Sequence, residues 1–393
     1  MQISSSSPLK LPKWRNGYTR QSQKLLRGNS RVGSNPTFGT RLSTAELCSG
    51  STEDFESFSP GSNPGSAASH NTFRLRFQRG IMTVQFERPT IIRPPSEWRS
   101  YFLPLTSGCS NNTCTFCNYY GTKLQVRELD DVKREIDALA AYVRTGICLP
   151  GVPQVVYAIA RSWDGKRVFL QDGDALVYPF PRLIEALGYL NERFPSLERI
   201  GSYATPQDIL RKSHDELAEL KKLKLSIFYM GMESGDDKVL QKVGKGVNSR
   251  ELVEAGKKAR EAGVTLSVTV ILGLGGVEGS QEHALKTAKI LSEIDSDYAG
   301  ALTLTLVPGT PLYKEWKQGE FHPISPVRSL EELKIIIENS SFTDCFFSSM
   351  HASNYLSVRG TLPRDKERML KQIKEVLAAG DPSLLRPEFL RGL

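Results

Sequence analysis

The sequence has few cysteines, six in 393 residues, which is too few for a disulfide scaffold in a chain of this length. It also lacks any uninterrupted apolar run near the ~18 residues that a membrane-spanning helix requires, so we predict no membrane contact. Three of the six cysteines fall in the short segment from position 109 to position 117. This crowding indicates metal chemistry in a reducing compartment, and we predict a cytoplasmic protein.

The excess of positive charge is confined to the start of the chain. The formal net charge is +8, from 51 Lys and Arg against 43 Asp and Glu. Residues 1–81 hold eleven basic and four acidic side chains, which leaves residues 82–393 with a net charge of +1. The nearly neutral main body does not support a basic face for nucleic acid.

Residues 1–81 form a leader with fifteen serines and no helical or strand periodicity, and we predict that it is disordered. One explanation is an organelle transit peptide. The explanation that we favour is a mis-assigned translation start. Codon degeneracy allows the residues Pro12–Thr40 to be the translation of a transfer-RNA gene, in which the codons for Gly33–Pro36 would be the T-loop region. The native chain would then begin at Met82, and residues 82–100 would form an N-terminal extension.

From about Tyr101 the sequence alternates short apolar runs with amphipathic stretches, which is typical of a β/α fold. The predicted strands are Tyr101–Thr106, Arg167–Gln171, Arg199–Tyr203, Leu225–Gly231, Val264–Leu272 and Ala301–Val307. The predicted helices are Glu128–Arg144, Phe180–Arg193, Ser213–Lys222, Ser249–Ala262, Gln281–Glu293 and a tail at Pro363–Ala379. Six strand–helix units are fewer than the eight of a closed barrel. We therefore predict a partial (β/α)6 TIM-like barrel over residues 101–310, followed by a small C-terminal α/β extension over residues 311–393.

Three cysteines follow the first predicted strand with the spacing C-x4-C-x2-C: Cys109, Cys114 and Cys117. Three thiolates on one loop can hold three irons of a four-iron cluster and leave the fourth iron open to a small molecule. A structural zinc site is an alternative, but its fourth ligand would have to come from Cys148, Cys345 or scattered histidines. A thioredoxin-like pair at Cys114 and Cys117 would leave Cys109 without a role. The spacing favours an iron–sulfur cluster.

At these residues the chain resembles the radical S-adenosylmethionine superfamily, from about Ser100 through Pro311. In that family a partial (β/α)6 barrel carries the three-cysteine loop after its first strand, and an aromatic residue before the last cysteine packs near the adenine of the cofactor. Phe116 occupies that position. The usual family spacing is C-x3-C-x2-C, so the extra residue of this loop is a departure. The resemblance implies that the three cysteines bind a [4Fe–4S] cluster, whose fourth iron binds S-adenosylmethionine.

The ends of four further predicted strands fit the same resemblance, because ligands of parallel β/α folds bind at the carboxyl ends of the strands. The family pattern implies cofactor contacts at Asp172, Gly173, Asp174, Ser202, Tyr203, Glu233, Ser234, Leu272 and Gly273. The acids would meet the methionyl amino group, and the glycine at position 273 would let the backbone approach the adenine. Taken singly, the two aspartates could form a turn and Glu233 could cap a helix.

The resemblance implies a function as well as a fold. A radical SAM enzyme cleaves S-adenosylmethionine reductively to a 5′-deoxyadenosyl radical, which abstracts hydrogen from a substrate, and it takes its electron from a small donor such as flavodoxin or ferredoxin. The alternative is a non-catalytic metal-binding module with a structural zinc, or a regulatory module, on the same fold. No further cysteine group follows the predicted barrel, which argues against the sulfur-inserting branches. The sequence does not identify the substrate.

A polar and aromatic segment after the barrel is not explained by the barrel pattern. His351, Asn354 and Tyr355 lie in it without helical periodicity, and we predict that they contact the substrate. A strand and turn that close the fold are the equal alternative for this segment.

Overall fold

The computed structural model describes residues 75–78, 81–84 and 86–392, with side chains from residue 86 onward. These residues belong to one compact unit, Leu47–Leu393. Strands β1 (Leu75–Gln78) and β2 (Ile81–Val84) form an antiparallel hairpin in which Phe77 pairs with Met82. Residues 75–78 and 81 of the predicted disordered leader lie in these two strands. The predictions about residues 1–74, including the transfer-RNA explanation, lie outside the described residues.

The other strands are β3 (Tyr101–Pro104), β4 (Thr106–Ser107), β5 (Gln125–Val126), β6 (Arg167–Gln171), β7 (Arg199–Ala204), β8 (Leu225–Glu233), β9 (Thr265–Leu272), β10 (Tyr298–Thr303), β11 (Cys345–Ser348) and β12 (Arg359–Leu362). The helices are α1 (Leu129–Thr145), α2 (Gln154–Ser162), α3 (Phe180–Arg193), α4 (Pro206–Arg211), α5 (His214–Lys222), α6 (Asp237–Lys242), α7 (Ser249–Glu261), α8 (Gly276–Ile294), α9 (Pro311–Gln318), α10 (Pro326–Asn339) and α11 (Lys366–Ala379). No helix in the described part of the chain is long and apolar enough to cross a membrane.

Eight strands form the main sheet, in the order β12-β11-β10-β9-β8-β7-β6-β3. From β3 to β11 all neighbouring pairs are parallel, and β12 alone runs antiparallel, against β11. The strands β3 and β6 to β10 are neighbours in chain order with helices between them, which is the arrangement of a (β/α)6 unit. The predicted fold class is therefore confirmed: a partial barrel with a C-terminal α/β extension.

The N-terminal extension packs against one face of this sheet. Gln171 Nε2 at the end of β6 donates to Pro89 O of the extension at 2.9 Å. Glu97 is fully buried and accepts hydrogen bonds from the Tyr229 hydroxyl at 2.6 Å and from Arg199 Nη2 at 2.5 Å. The extension is thus part of the folded core rather than a linker before it.

The prediction for β10 was wrong in its bounds. The apolar run Ala301–Val307 was predicted as the strand, but β10 begins at Tyr298 and its pairing with β9 ends where Thr303 meets Leu272. Beyond that point the backbone turns, with Thr310 N–H donating to Val307 O. Hydrophobicity alone did not mark the end of the strand, because the residues after it remain apolar.

Candidate cluster and cofactor site

The three cysteines lie on one loop between β4 and β5, at the carboxyl end of the main sheet. Cys114 is buried, and Cys109 and Cys117 are half-buried. A tight turn joins the last two, because Cys117 N–H donates to Cys114 O at 3.1 Å. Cys114 Sγ also accepts from Asn111 Nδ2 at 3.2 Å, so the loop orients this sulfur before any metal binds.

The end of β6 supports the loop from one side. A Cβ placed at Gly173 would lie 2.7 Å from Gly108 O and 2.8 Å from Cys109 Cβ, so only glycine fits there. Asp172, which has a φ of 85°, accepts from the Gly108 N–H with one oxygen and from the Tyr119 hydroxyl with the other. Asp172 thus ties the loop at two points. Its predicted contact with the methionyl amino group stays a prediction, and it would have to be made by oxygens that already accept hydrogen bonds.

Two aspartates form a buried pair beneath the loop. Asp174 accepts from Leu176 N–H at 2.7 Å and from Thr205 N–H at 2.9 Å, and burial, followed by its neighbour Asp208, raises its pKa well above the usual range. Burial also acts on Asp208, but hydrogen bonds from Asp174, Ser110 and others outweigh it and lower its pKa. Two neighbouring buried carboxyl groups do not both ionise readily, so the pair favours a state in which it holds one proton. Ser110 Oγ donates to Asp208 at 2.6 Å and connects the pair to the cysteine loop.

The segment Val243–Gly246, after α6, supports the loop from the other side. Thr115 N–H donates to Val243 O at 2.9 Å, and Asn111 Nδ2 donates to Lys245 O at 2.8 Å. Gly244 has a φ of 67°, and a Cβ there would lie 2.5 Å from a backbone oxygen of the loop. We did not predict this segment from the sequence, although two glycines flanking one lysine indicate a close approach of backbones.

Lys245 places a buried positive charge beside the thiols. Its Nζ lies 2.9 Å from Glu233 Oε1, and it lowers the pKa of all three thiols. Burial acts in the opposite direction and is the larger effect, raising the pKa of Cys109 to about 12 and that of Cys114 to about 11. The three thiols therefore become thiolates when a metal centre replaces their protons, and Lys245 then balances part of the negative charge.

The donor set fits a cluster better than a single ion. Among the described residues, no group of three or more His, Cys, Asp or Glu side chains could hold one metal ion. A structural zinc needs four ligands around one position, whereas the three thiolates of a [4Fe–4S] cluster bind three different irons. The described part of the chain therefore contains no set of side chains arranged as the ligands of a structural zinc site.

The ends of β8 and β9 bring the other predicted residues to the same edge. Phe116 packs with Ile271 and Leu274 in a small apolar cluster, so it lies beside the end of β9 where Gly273 follows.

The other predicted residues at these strand ends are largely enclosed. Ser202, Ser234 and Leu272 are fully buried, and Tyr203 is half-buried, with its pKa raised by burial. The hydroxyl of Ser202 donates to the Tyr203 carbonyl, and that of Ser234 lies 2.8 Å from His283 Nδ1. The two serine hydroxyls thus make contacts within the protein.

The three residues predicted to contact substrate lie together near the C-terminus of the chain. The side chain of Asn354 is buried, donates to Ala301 O at 2.7 Å and to Ser349 O at 2.9 Å, and accepts from Thr303 Oγ1 at 2.8 Å. Tyr355 donates to Glu388. His351 is half-buried and contacts Ser353 at 2.9 Å. These contacts favour the alternative in which the segment closes the fold.

We expect Asn354→Ala to lower the free energy of unfolding by about 2–4 kcal/mol, because it leaves two buried carbonyls and one hydroxyl without partners. Urea denaturation of the full chain measures this loss. His351→Ala, a nearby change that removes only side-chain contacts with Ser353, should cost less than about 1 kcal/mol. An unchanged unfolding midpoint for Asn354→Ala together with lost substrate turnover would instead support a substrate contact.

The chain is similar in sequence to enzymes of known type. Residues 103–288 match the family model of the Radical SAM superfamily. A tRNA-2-methylthio-N(6)-dimethylallyladenosine synthase of Bordetella avium is 28% identical over 250 residues, covering 61% of this chain and 49% of that protein. The protein with the same name from Aromatoleum aromaticum is 29% identical over 225 residues, 56% of this chain and 47% of that protein. The chain thus spans about half the length of these relatives.

One of the solved structures that match the chain is coproporphyrinogen III oxidase from Escherichia coli, a radical SAM enzyme. It is 17% identical with a TM-score of 0.44, and the match covers 61% of this chain and 51% of that one. Methylornithine synthase follows at 16% identity and a TM-score of 0.40, covering 62% of this chain and 63% of that one. The matched residues 103–288 contain the cysteine loop and the ends of β6 to β9. Residues 103–288 thus form a radical SAM domain, and the enzymes of that superfamily bind a [4Fe–4S] cluster and S-adenosylmethionine and need a reductant.

Proposed function

We propose that this protein is an enzyme that cleaves S-adenosylmethionine reductively to a 5′-deoxyadenosyl radical and abstracts hydrogen from a substrate. The observation that carries the proposal is the set of three thiols, Cys109, Cys114 and Cys117, on one loop at the carboxyl end of the main sheet. When bound, the cluster supplies the electron for the cleavage and an open iron site for the cofactor.

The side chains around the loop have separate tasks in this proposal. The three cysteines hold the cluster, and Lys245 offsets part of its negative charge, which favours acceptance of an electron. Gly173 and Asp172 fix the path of the loop from the side of β6. Each task is electrostatic or geometric, as expected where the cofactor itself carries the chemistry.

The cofactor contacts extend along the ends of β6 to β9. We propose that Phe116 and the backbone of Leu272 and Gly273 pack against the adenine, because Phe116 lies in the apolar cluster beside the end of β9. Glu233, oriented by Lys245 at 2.9 Å, would accept a hydrogen bond from the ribose. Apolar walls at the adenine exclude water from the reacting centre.

The direct test uses anaerobically reconstituted and chemically reduced protein. We expect a brown protein with broad absorbance near ~400 nm and about four irons per chain, which forms 5′-deoxyadenosine from S-adenosylmethionine even without substrate. Chromatography of the nucleosides measures the product, and the unreduced protein is the control. A colourless protein with one zinc and no 5′-deoxyadenosine would contradict the proposal and favour the non-catalytic alternative.

Methylthio transfer to transfer RNA is the second candidate, because the relatives carry that activity in their names. One feature of the sequence weighs against it: the main body, residues 82–393, is nearly neutral in charge. Incubation of the reduced enzyme with unmodified transfer RNA, followed by mass spectrometry of its nucleosides, tests this candidate. A methylthio-modified adenosine would establish it, and 5′-deoxyadenosine without modified nucleoside would exclude it for that transfer RNA.

A further inference from the structure

A buried carboxyl group on α10 holds the backbone at the end of β9. Gly273 follows the last residue of β9 with a φ of 84°, and its N–H donates to Glu332 Oε2 at 2.7 Å. Glu332 is only 1% exposed. It lies on α10, beyond residues 103–288, so the match to the superfamily does not include it.

His283 on α8 contacts the ends of both β9 and β8. Its Nε2 lies 3.1 Å from the Ile271 carbonyl oxygen, which only accepts, so Nε2 carries the proton. Its Nδ1 is then the acceptor for the Ser234 hydroxyl at 2.8 Å. Burial lowers the pKa of His283 to about 4, so the ring is neutral at neutral pH. Together with Glu332, it connects the ends of β8 and β9 to the two helices behind them.

Glu332 also borders a cavity of about 200 Å³ between α8 and α10, with Ser280, Arg328 and Lys334 among its lining residues. Glu332 Oε1 is buried and has no hydrogen-bond partner among the described residues. The nearby Ser280 Oγ accepts from Arg328 Nε at 3.2 Å. A polar cavity of this size admits water, so the carboxyl group can exchange its proton despite its burial.

We propose that Glu332 is a positioning residue for the cofactor: its carboxylate fixes the Gly273 peptide against which the adenine of S-adenosylmethionine packs. The inference rests on the proposed function, in which Leu272 and Gly273 contact the adenine. Because Gly273 has no Cβ, its backbone has many alternative conformations, and the hydrogen bond to Glu332 selects one of them. An ionised acceptor makes this bond roughly twice as strong as a neutral one, so protonation at Oε1 weakens the bond without breaking it.

The charge of Glu332 changes near neutral pH, because burial raises its pKa to about 7. The groups around it are His283 and Ser280 from α8, the Gly273 N–H from the end of β9, and Arg328, Glu331 and Lys334 from α10 itself. His283 stays neutral throughout this range, because burial lowers its pKa to about 4. Glu332 therefore changes its charge between about pH 6 and pH 8, and its ionised form predominates above its pKa.

The test measures the dissociation constant of S-adenosylmethionine by anaerobic calorimetry on the reconstituted full chain, between about pH 6 and pH 8. In the unaltered protein we expect affinity to rise roughly threefold to tenfold over this range as Glu332 ionises. Glu332→Gln keeps the shape and an oxygen acceptor but cannot titrate, so its affinity should be low and flat across the range. Glu331→Gln, the neighbouring change on the same helix, should keep the rise.

Iron content separates positioning from misfolding, because all three proteins should hold about four irons per chain. The inference is overturned if Glu332→Gln retains the pH-dependent rise, or if Glu331→Gln loses it as well. If the unaltered protein holds a cluster but does not bind S-adenosylmethionine at any pH, the proposed function fails, and this inference fails with it.

Discussion

Replacement of Cys114 by alanine is expected to remove the cluster and to lower 5′-deoxyadenosine formation by more than roughly 100-fold. Loss of a residue that only supports a metal ligand already costs about 10- to 100-fold, and Cys114 is predicted to be a ligand itself. Its thiol is buried, and the loop orients it through Asn111, so no other group can take its place without moving the loop. Iron analysis and nucleoside chromatography measure the two effects.

Cys345→Ala is the matched control for this change. Cys345 is also a buried free cysteine, but it lies on β11, outside the cysteine loop. Its replacement removes a thiol of the same kind and should leave both iron content and cleavage near their original values. Full turnover in Cys114→Ala, or equal losses in both variants, would refute the assignment of the cluster to the loop.

Gly173→Ala is expected to have an effect of similar size without removing any ligand. The added Cβ would lie within 2.9 Å of three atoms of Gly108 and Cys109, and two of these are backbone atoms that cannot rotate away. The loop must therefore shift, and a displacement of about 1 Å near a reacting centre can cost roughly 100-fold in rate. We expect low iron content after reconstitution and almost no 5′-deoxyadenosine.

Gly188→Ala provides the comparison, since Gly188 lies in α3 and a Cβ there meets no heavy atom of the described residues within 4 Å, apart from its own helix and chain neighbours. This change should stabilise the helix by about 0.5–1 kcal/mol and leave the cluster intact. Wild-type iron content in Gly173→Ala would show that the loop tolerates the displacement and that its path is not set by β6.

The regular elements were predictable where one local pattern determined them. Strand β6 and helix α3 have the predicted bounds, because a short apolar run and an amphipathic stretch were each followed by clear boundaries. Helix α10 was missed even though Ser325 caps it and proline occupies its first turn, which is a strong start pattern. It lies beyond the predicted barrel, so its packing against α8 did not follow from the barrel pattern.

The directions of individual side chains were less predictable than their positions. The sequence predicted that the ends of β6, β8 and β9 would meet near the cysteines, and the structure brings them to one edge of the sheet. The sequence could not show that the Ser234 hydroxyl would contact His283. Nor could it show that the side chain of Asn354 would make three hydrogen bonds within the protein. Lys245 was missed because it stands 128 positions after Cys117 in the sequence. Contacts of this kind depend on tertiary packing, which local patterns do not encode.

The attachment of the cysteine loop to the segment Val243–Gly246 also affects when the centre can assemble in a cell. When Cys117 leaves the ribosome, the residues that fix the conformation of the loop have not yet been synthesised. Asn111 donates its hydrogen bond to Lys245 O, and Thr115 N–H donates to Val243 O. Iron delivered at that stage would encounter three cysteines on a loop that has not yet folded. Stable loading should therefore follow synthesis of the chain through Gly246, so that translation, folding and iron delivery occur in that order.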